Sequence, residues 1–314
     1  MIIYTDDTGY AEKLFDPAEP WRPGGDDSAE TGLIGLMGEL FEGGAIQRSR
    51  TNAPGRWRYA CAVQRAPRSQ YDLLVSLQQR GAGLPDGIVC LAGSGREFHG
   101  QRGRPWRALE GNLHISIYLA PQRPVERFHI GFSILAAVSL VSAIDRFDPL
   151  RARAEIKWVN DVLVDGAKVA GFLAHTSSIQ DRVTAAVLGI GLNVETPPDP
   201  VPDQFVPRAA SLRDLMPDGS GCSQRQALEY LLESLDTGYR TLLDGGYDAL
   251  LDTYRERSAV MGRRVRIYGD APAGPGKEIA AGRVVAIGEN LELYLDSTTT
   301  PVSSGRLVLE REHA

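Results

Sequence analysis

The chain has 314 residues, of which 43% are hydrophobic and 24% charged, an ordinary composition for a soluble protein of about two domains. With 40 acidic against 34 basic residues the net charge is −6, which argues against a bulk electrostatic grip on nucleic acid. Cys61, Cys90 and Cys222 form neither a CxxC nor a Cys/His metal spacing, so they read as buried thiols of a reducing compartment. In chain order, residues 2–4 read as a strand and 32–41 as a short helix, separated by a turn-rich acidic stretch from Asp16 to Asp27. Residues 1–56 are an N-terminal extension with no assigned role. From Trp57 the pattern is regular. Residues 58–63 read as a strand, Ser69 as the N-cap of a helix with Leu73, Leu74 and Leu77, and 88–92 as a buried strand. A Gly/Arg-rich loop at 93–106 follows, then an alternating strand at 113–119 and a long helix at about 126–147. Strands are expected at 154–164, 168–175 and 183–192, and two amphipathic helices within 223–256. Short strands at 263–268, 279–287, 290–295 and 305–310 suggest a small barrel. The class is α+β, a mixed or antiparallel sheet flanked by helices. The domains are 57–258 and a small β-barrel at 259–314. The apolar run 130–144 is too short to span a membrane, and no signal peptide precedes Asp6-Asp7. A cytoplasmic protein is expected.

The most chemically pointed segment is Lys157-Trp158-Val159-Asn160-Asp161, with Asp165-Gly166 and Lys168-Val169-Ala170-Gly171 just beyond. A strand, a tight Asp-Gly turn and a second strand bring Asn160, Asp161 and Lys168 near one another. An amide, a carboxylate and a cation in one space suit a reaction between a carboxylate and a nucleoside triphosphate with Mg²⁺. The lysine would neutralise charge at phosphorus and Asp161 would hold the metal. A solvated hairpin accounts for the same residues equally well. Loop 93–106, with Gly93, Gly95, Gly100, Gly103, Arg96, Arg102 and Arg104, suits phosphate cradling. It is not a Walker A loop, and an ordinary surface loop is the alternative. His114 and His129 are read as packing residues.

Lys-Trp-x-Asn-Asp followed by Lys-x-Ala-Gly resembles the signature of biotin–protein ligases. Further segments agree in order: Gly189-Ile190-Gly191-Leu192-Asn193, Ala210-Ser211-Leu212-Arg213, Gly100-Gln101-Arg102-Gly103-Arg104-Pro105-Trp106, and the stretch 262–309 with Val302-Ser303-Ser304-Gly305, which is similar to the family's small SH3-like C-terminal domain. The likeness covers about residues 57–310. It implies ATP-dependent formation of biotinyl-5'-adenylate and transfer of biotin to a lysine of a biotin carboxyl carrier domain, with ATP and Mg²⁺ as cofactors. Lys168, Asp161 and Asn160 would be catalytic, with Asp161 near Mg²⁺. Ser69, Gln70, Gln101, Lys168, Gly171, Leu173 and Gly189 would hold biotin; Arg102, Arg104, Trp106, Asn160 and Asn193 would hold the nucleotide.

The loop departs from the family pattern. Aligned without gaps back from Trp106, the family's arginine near the activated intermediate is Gln101, its neighbour is His99, and the upstream glutamine is Gly95. Placing Gly95-Arg96 on the first Gly-Arg, with three residues inserted, restores one arginine. Phe98-His99-Gly100 also resembles lipoyl (octanoyl) transferases. A lipoate or octanoate ligase or transferase, or an inactive biotin-binding relative, therefore stands beside the main reading. Some family members carry an N-terminal helix-turn-helix. One helix without a basic face, at 32–41, implies no nucleic-acid role here. A homodimer is plausible by the resemblance, and no membrane partner is expected.

Overall fold

The structure, a computed structural model, describes residues 1–24, 30–53, 55–198, 203–218, 220–270 and 275–310. The chain opens with β1 (Ile2–Thr5), α1 (Thr8–Leu14), β2 (Arg22–Pro23), α2 (Thr31–Leu40) and β3 (Gln47–Arg50). There follow β4 (Tyr59–Ala66), α3 (Gln70–Gln79), β5 (Ile88–Gly95), β6 (Leu113–Leu119), β7 (Arg123–Pro124) and α4 (Phe128–Ile144). Next come β8 (Ala154–Lys157), β9 (Asp161–Val164), β10 (Ala167–Ile179), β11 (Arg182–Leu192), α5 (Gln224–Leu243) and α6 (Tyr247–Glu256). The last strands are β12 (Arg264–Asp270), β13 (Pro275–Ile287), β14 (Leu293–Leu295) and β15 (Arg306–Leu309). One mixed sheet runs β2-β3-β1-β4-β5-β6-β11-β10-β9-β8, with β7 beside β11; a second, antiparallel sheet runs β14-β13-β12-β15. The architecture is the expected α+β arrangement, and the second sheet lies within the stretch read as a small barrel.

Period-two alternation decides what each face of the main sheet meets. Ala60 and Ala62 of β4 and Leu113, Ile115, Ile117 and Leu119 of β6 face the core shared with α4, α5 and α6. Cys61 and Val63 of β4 and Cys90 of β5 face a second core under α2 and α3. Helix α4 is buried on nearly every side between sheet and α5, which explains an apolar run that is nonetheless not a membrane span. Among the described residues no helix is long and apolar enough to cross a membrane.

Two sequence expectations are corrected. The boundary after residue 56 is not a structural one, because β1 lies between β3 and β4, antiparallel to the first and parallel to the second. Ile3 and Tyr4 are 0% and 1% exposed, and Tyr10, Leu14 and Phe15 join the main core. The single strand expected at 154–164 is two antiparallel strands, with Lys157 opposite Asp161 across a turn at 158–160. The Asp165-Gly166 turn is as expected: both residues have positive φ, 49° and 74°, the combination a two-residue hairpin demands.

The small sheet is anchored to the larger body through Trp158, whose indole N–H donates to the Leu291 carbonyl at 2.6 Å. Arg257 grips Asp145 with two bonds of 2.5 and 3.0 Å at the passage from α6 to β12.

Candidate active site

On β11 the residues Leu188, Ile190 and Leu192 point into the main core, so Gly189 and Gly191 fall on the opposite face. There the missing side chains leave room. Together with Gly171 and Leu173 of β10 and His114 and Ser116 of β6 they floor a cavity of about 440 Å³, within the size range of small-ligand sites. The loop after β5 and the residues around 203–209 form its walls. Glycine is required sterically at two of these positions. A Cβ on Gly191 would lie 2.3 Å from Trp106 Cζ2, and one on Gly189 2.9 Å from Tyr71 Cδ2.

At one end lies the Lys168–Asp161 pair, Nζ to Oδ1 2.6 Å, with side chains 19% and 16% exposed. The hairpin makes this contact possible: Gly171 stands opposite Asp161, and a register shift between Lys168 and Ala170 turns the lysine toward the carboxylate. Burial pushes the Asp161 carboxyl up, but Lys168, Lys157 and Arg104 outweigh it and hold the group below the usual carboxylate range. Lys157, only 6% exposed, donates to the Phe205 carbonyl; burial lowers its pKa and Asp161 opposes that. Asn160 lines the same cavity, and its amide donates to the Phe172 carbonyl at 2.9 Å.

The Trp106 indole crosses the glycine floor 5.6 Å from Lys168 Nζ, and its N–H donates to His114 Nδ1 at 3.3 Å. His114 Nε2 therefore carries the proton that goes to the Leu109 carbonyl at 3.0 Å. Burial pushes the pKa of His114 down to about 4, so the ring is a neutral prop for Trp106 and a packing residue, as its sequence context suggested. Asn193 lines the cavity, yet its amide is engaged with the Ala210 carbonyl at 3.2 Å. It clamps the Ala-Ser-Leu-Arg segment, where Ser211 and Asp214 bond reciprocally, N–H to side chain, at 3.0 and 3.3 Å.

Ser69, Gln101, Arg104, Gly171, Leu173 and Gly189 all line the cavity. Ser69 occupies the N-cap position of α3, but its hydroxyl makes no capping bond. Two expected residues do not line the cavity. Gln70 is 1% exposed and donates to the Leu91 carbonyl at 3.1 Å, because one step along a helix turns a side chain by about 100°; Tyr71 takes the place at the wall. Arg102 is exposed, in a left-handed turn of φ 62°, whereas Arg104 stays at the wall with Nε donating to the Gln101 carbonyl at 3.0 Å. Asp161, read from the sequence as the residue near magnesium, is paired with Lys168 and has Lys157 and Arg104 close by.

Several lining residues were given no role from the sequence. His99 is tied to Asp72 by Nε2 at 2.8 Å and to the Gly100 carbonyl by Nδ1 at 3.0 Å. The Gly100 carbonyl raises its pKa, burial opposes that, and Asp72 raises it further. Arg306 reaches the cavity from the small sheet.

A mixed sheet with helices on both faces and a glycine-floored cavity is the fold of the biotin and lipoate ligases. Residues 64–193 match the Biotin/lipoate A/B protein ligase family. The structure superposes on a biotin protein ligase from Aquifex aeolicus, in complex with biotin and ATP, with a TM-score of 0.62 at 19% identity, over 82% of this chain and 100% of that one. A biotin–[acetyl-CoA-carboxylase] ligase of Mycobacterium tuberculosis is 32% identical over 263 residues, 80% of this chain and 89% of that protein. The chain belongs to the biotin–protein ligase family. A bifunctional ligase/repressor BirA of Bacillus subtilis is 27% identical over 202 residues, 62% of this chain; the match spans 61% of that relative's length.

Proposed function

We propose that the protein is a biotin–protein ligase that activates biotin with ATP and passes it to a lysine of a biotin carboxyl carrier domain. The observation that carries this reading is the Lys168–Asp161 pair at the end of a glycine-floored cavity, beneath Trp106. In the first half-reaction a biotin carboxylate oxygen attacks the α-phosphorus of ATP and pyrophosphate leaves. Two anions must approach, so the lysine's chief task is to neutralise both in a site with little water. Asp161 keeps Lys168 aimed. Held ionised below its ordinary pKa, it is a poor proton acceptor, so its role is that of a counter-ion. Ser69 and Ser116 are the hydroxyls available to the ureido ring, and Gly171, Leu173 and Gly189 shape an apolar slot for the rest of the molecule. Trp106 and Arg104 serve the nucleotide, with Asn160 orienting the carboxylate and Asn193 fixing the strand ends. In the second half-reaction the acceptor amine attacks the acyl carbonyl of the mixed anhydride, the amide forms, and AMP leaves with release of one proton.

Pyrophosphate exchange into ATP, measured with Mg²⁺ and either biotin or lipoate, tests the reading. Biotin-dependent exchange is expected. Exchange with lipoate alone would identify a lipoate ligase, and none with either acid would leave a binding protein.

A further inference from the structure

The loop after β5 folds back on itself as a clasp. The Trp106 N–H donates to the Phe98 carbonyl at 2.9 Å and the Gly100 N–H to the Arg104 carbonyl at 2.7 Å, with His99 bridged to Pro105 between them. Phe98 roots one arm. A Cβ on Gly95 would meet its ring at 2.3 Å, and the ring takes His114 edge-on at 5.8 Å. Gln101, Arg104 and Trp106, which line the cavity, are carried on this clasp. The start of α3 supplies a neighbouring stretch of wall through Ser69 and Tyr71, and Asp72 follows them in its first turn. His99 ties the clasp to that helix: Nε2 lies 2.8 Å from Asp72 Oδ2 and 3.0 Å from Oδ1.

Both ring nitrogens of His99 face acceptors. Nδ1 lies 3.0 Å from the Gly100 carbonyl, and Nε2 meets the carboxylate. A neutral imidazole has one N–H and satisfies one of these oxygens, whereas the imidazolium satisfies both. If a neutral ring keeps its proton on Nδ1, Nε2 turns a lone pair on Asp72 and the tie to α3 is lost. If it keeps the proton on Nε2, the tie loses its charge and Nδ1 turns a lone pair on Gly100. The surroundings favour the charged form: the Gly100 carbonyl and then Asp72 raise the pKa of His99 against the opposing effect of burial. Tyr71, edge-on to the ring at 6.4 Å, has its phenol pushed up to about 12 by burial and Asp72, so it stays neutral. A group whose pKa is raised on folding holds its contacts below that pKa and gives them up as pH rises through it. With the His99 and Asp72 side chains 29% and 50% exposed, water screens the pair and the effect is modest.

We propose that His99 and Asp72 form a proton-dependent staple that holds the 93–106 loop against α3, so that a molecule in the cavity escapes more slowly while His99 is protonated than after it has lost the proton. His99 is thus a positioning residue for Gln101, Arg104 and Trp106. The identity of the occupant, biotin or its adenylate, rests on the ligase reading; the staple does not.

The test uses the full chain with Asp72→Asn, Asp72→Glu and His99→Gln. Titration of the His99 ring by NMR should give a pKa above the ordinary value of about 6.5, lowered in Asp72→Asn and largely restored in Asp72→Glu. Tryptic cleavage after Arg102, scaled at each pH to a peptide control, should quicken as that proton leaves. The dissociation rate of biotin, followed by stopped flow from about pH 5.5 to 8.5, should rise about 3- to 10-fold through the same pKa, the range expected for a partly exposed charge-assisted contact. In Asp72→Asn and His99→Gln it should be fast and flat with pH, and Asp72→Glu should recover part of the slope. A rate that is flat in the native chain, or a slope that survives in Asp72→Asn and His99→Gln, overturns the proposal, as does a His99 pKa at or below about 6.5. So does the pattern of a merely structural pair, a lower melting temperature in the variants with the native pH slope retained. No biotin binding at any pH, with the ring titration and the loop cleavage as expected, would uphold the staple and sink the ligase reading instead.

Discussion

Replacing Lys168 by alanine removes the cation on which the proposed chemistry depends. The ammonium lies 2.6 Å from Asp161 and is 19% exposed, so its field is only partly screened. At an effective dielectric of about 20, a unit charge about 4 Å from a developing phosphoryl charge is worth about 4 kcal/mol. Some of this acts already on the ground state, which leaves on the order of 3 kcal/mol for the transition state, or ~10²-fold in rate. Stability should suffer less. Asp161 keeps Lys157 and Arg104 as neighbours, so the loss should be about 1–2 kcal/mol rather than the 3–5 of an orphaned buried charge. The assay is single-turnover conversion of α-labelled ATP to adenylate at saturating biotin, with biotin affinity and urea unfolding in parallel. Adenylate formation within about fivefold of wild type would refute the role given to Lys168. The double variant with Asp161→Asn adds a second check. If the carboxylate acts only by holding the lysine, the pair of changes should cost little more than Lys168→Ala alone.

Gln101→Arg should slow escape of biotinyl-adenylate, because a charge-assisted contact replaces a neutral one of about half the strength; an unchanged off-rate means position 101 does not face the intermediate. Gly191→Ala should displace Trp106, since the new Cβ would stand 2.3 Å from its ring, and raise the ATP Michaelis constant tenfold or more at a cost of about 1–3 kcal/mol in stability; intact kinetics would show that the indole is not a nucleotide platform. His114, with its pKa at about 4, stays neutral in the folded state while the unfolded imidazole protonates near 6.5. Its contribution is therefore complete above pH 6.5 and lost as pH falls toward 4, by about 3 kcal/mol, and His114→Gln should abolish that part of the acid slope in urea titrations. A chain beginning at Asn52 should aggregate or lose cooperative melting, because it lacks the strand between β3 and β4; a folded, fully active truncation would show β1 to be an accessory.

Most of the fold was legible because its strands alternate and its helices keep a 3.6-residue spacing. Leu113–Leu119 is a strand with the expected bounds, and Asp165-Gly166 is a hairpin turn that only such residues make readily. The misses have physical causes. Gln47–Arg50 is wholly polar and is a strand only because β1 supplies its partners. Helix α1 did carry a signal, Asp7 accepting from the Tyr10 N–H at 2.7 Å, but seven residues are too few for periodicity to stand out. Within the site, residues on the hairpin and on the glycine-bearing strand could be read because neighbours in sequence stay neighbours in space. Gln70 failed through helical rotation and Arg102 through a left-handed turn. Arg306 belongs to another sheet, and nothing local in the sequence announces where that sheet docks.

The two outermost strands of the long sheet, β2 and β8, leave few backbone groups open to a further strand. At one border β2 is two residues long and ends in Pro23, which has no N–H to offer. At the other, the Ile156 N–H goes to the Arg257 carbonyl at 2.7 Å and its carbonyl accepts from Ala259 at 2.9 Å, while Arg257 Nε covers the Ala154 carbonyl at 3.1 Å. An open row of backbone groups on a sheet this wide would invite stray chains to zip on. Here the crossing into the small domain doubles as the cover. Under the proposed function, an acceptor domain does not add a strand beside β8, so its recognition is expected from side chains near the cavity mouth, where surface changes can retune partner choice without disturbing the backbone ladder beneath.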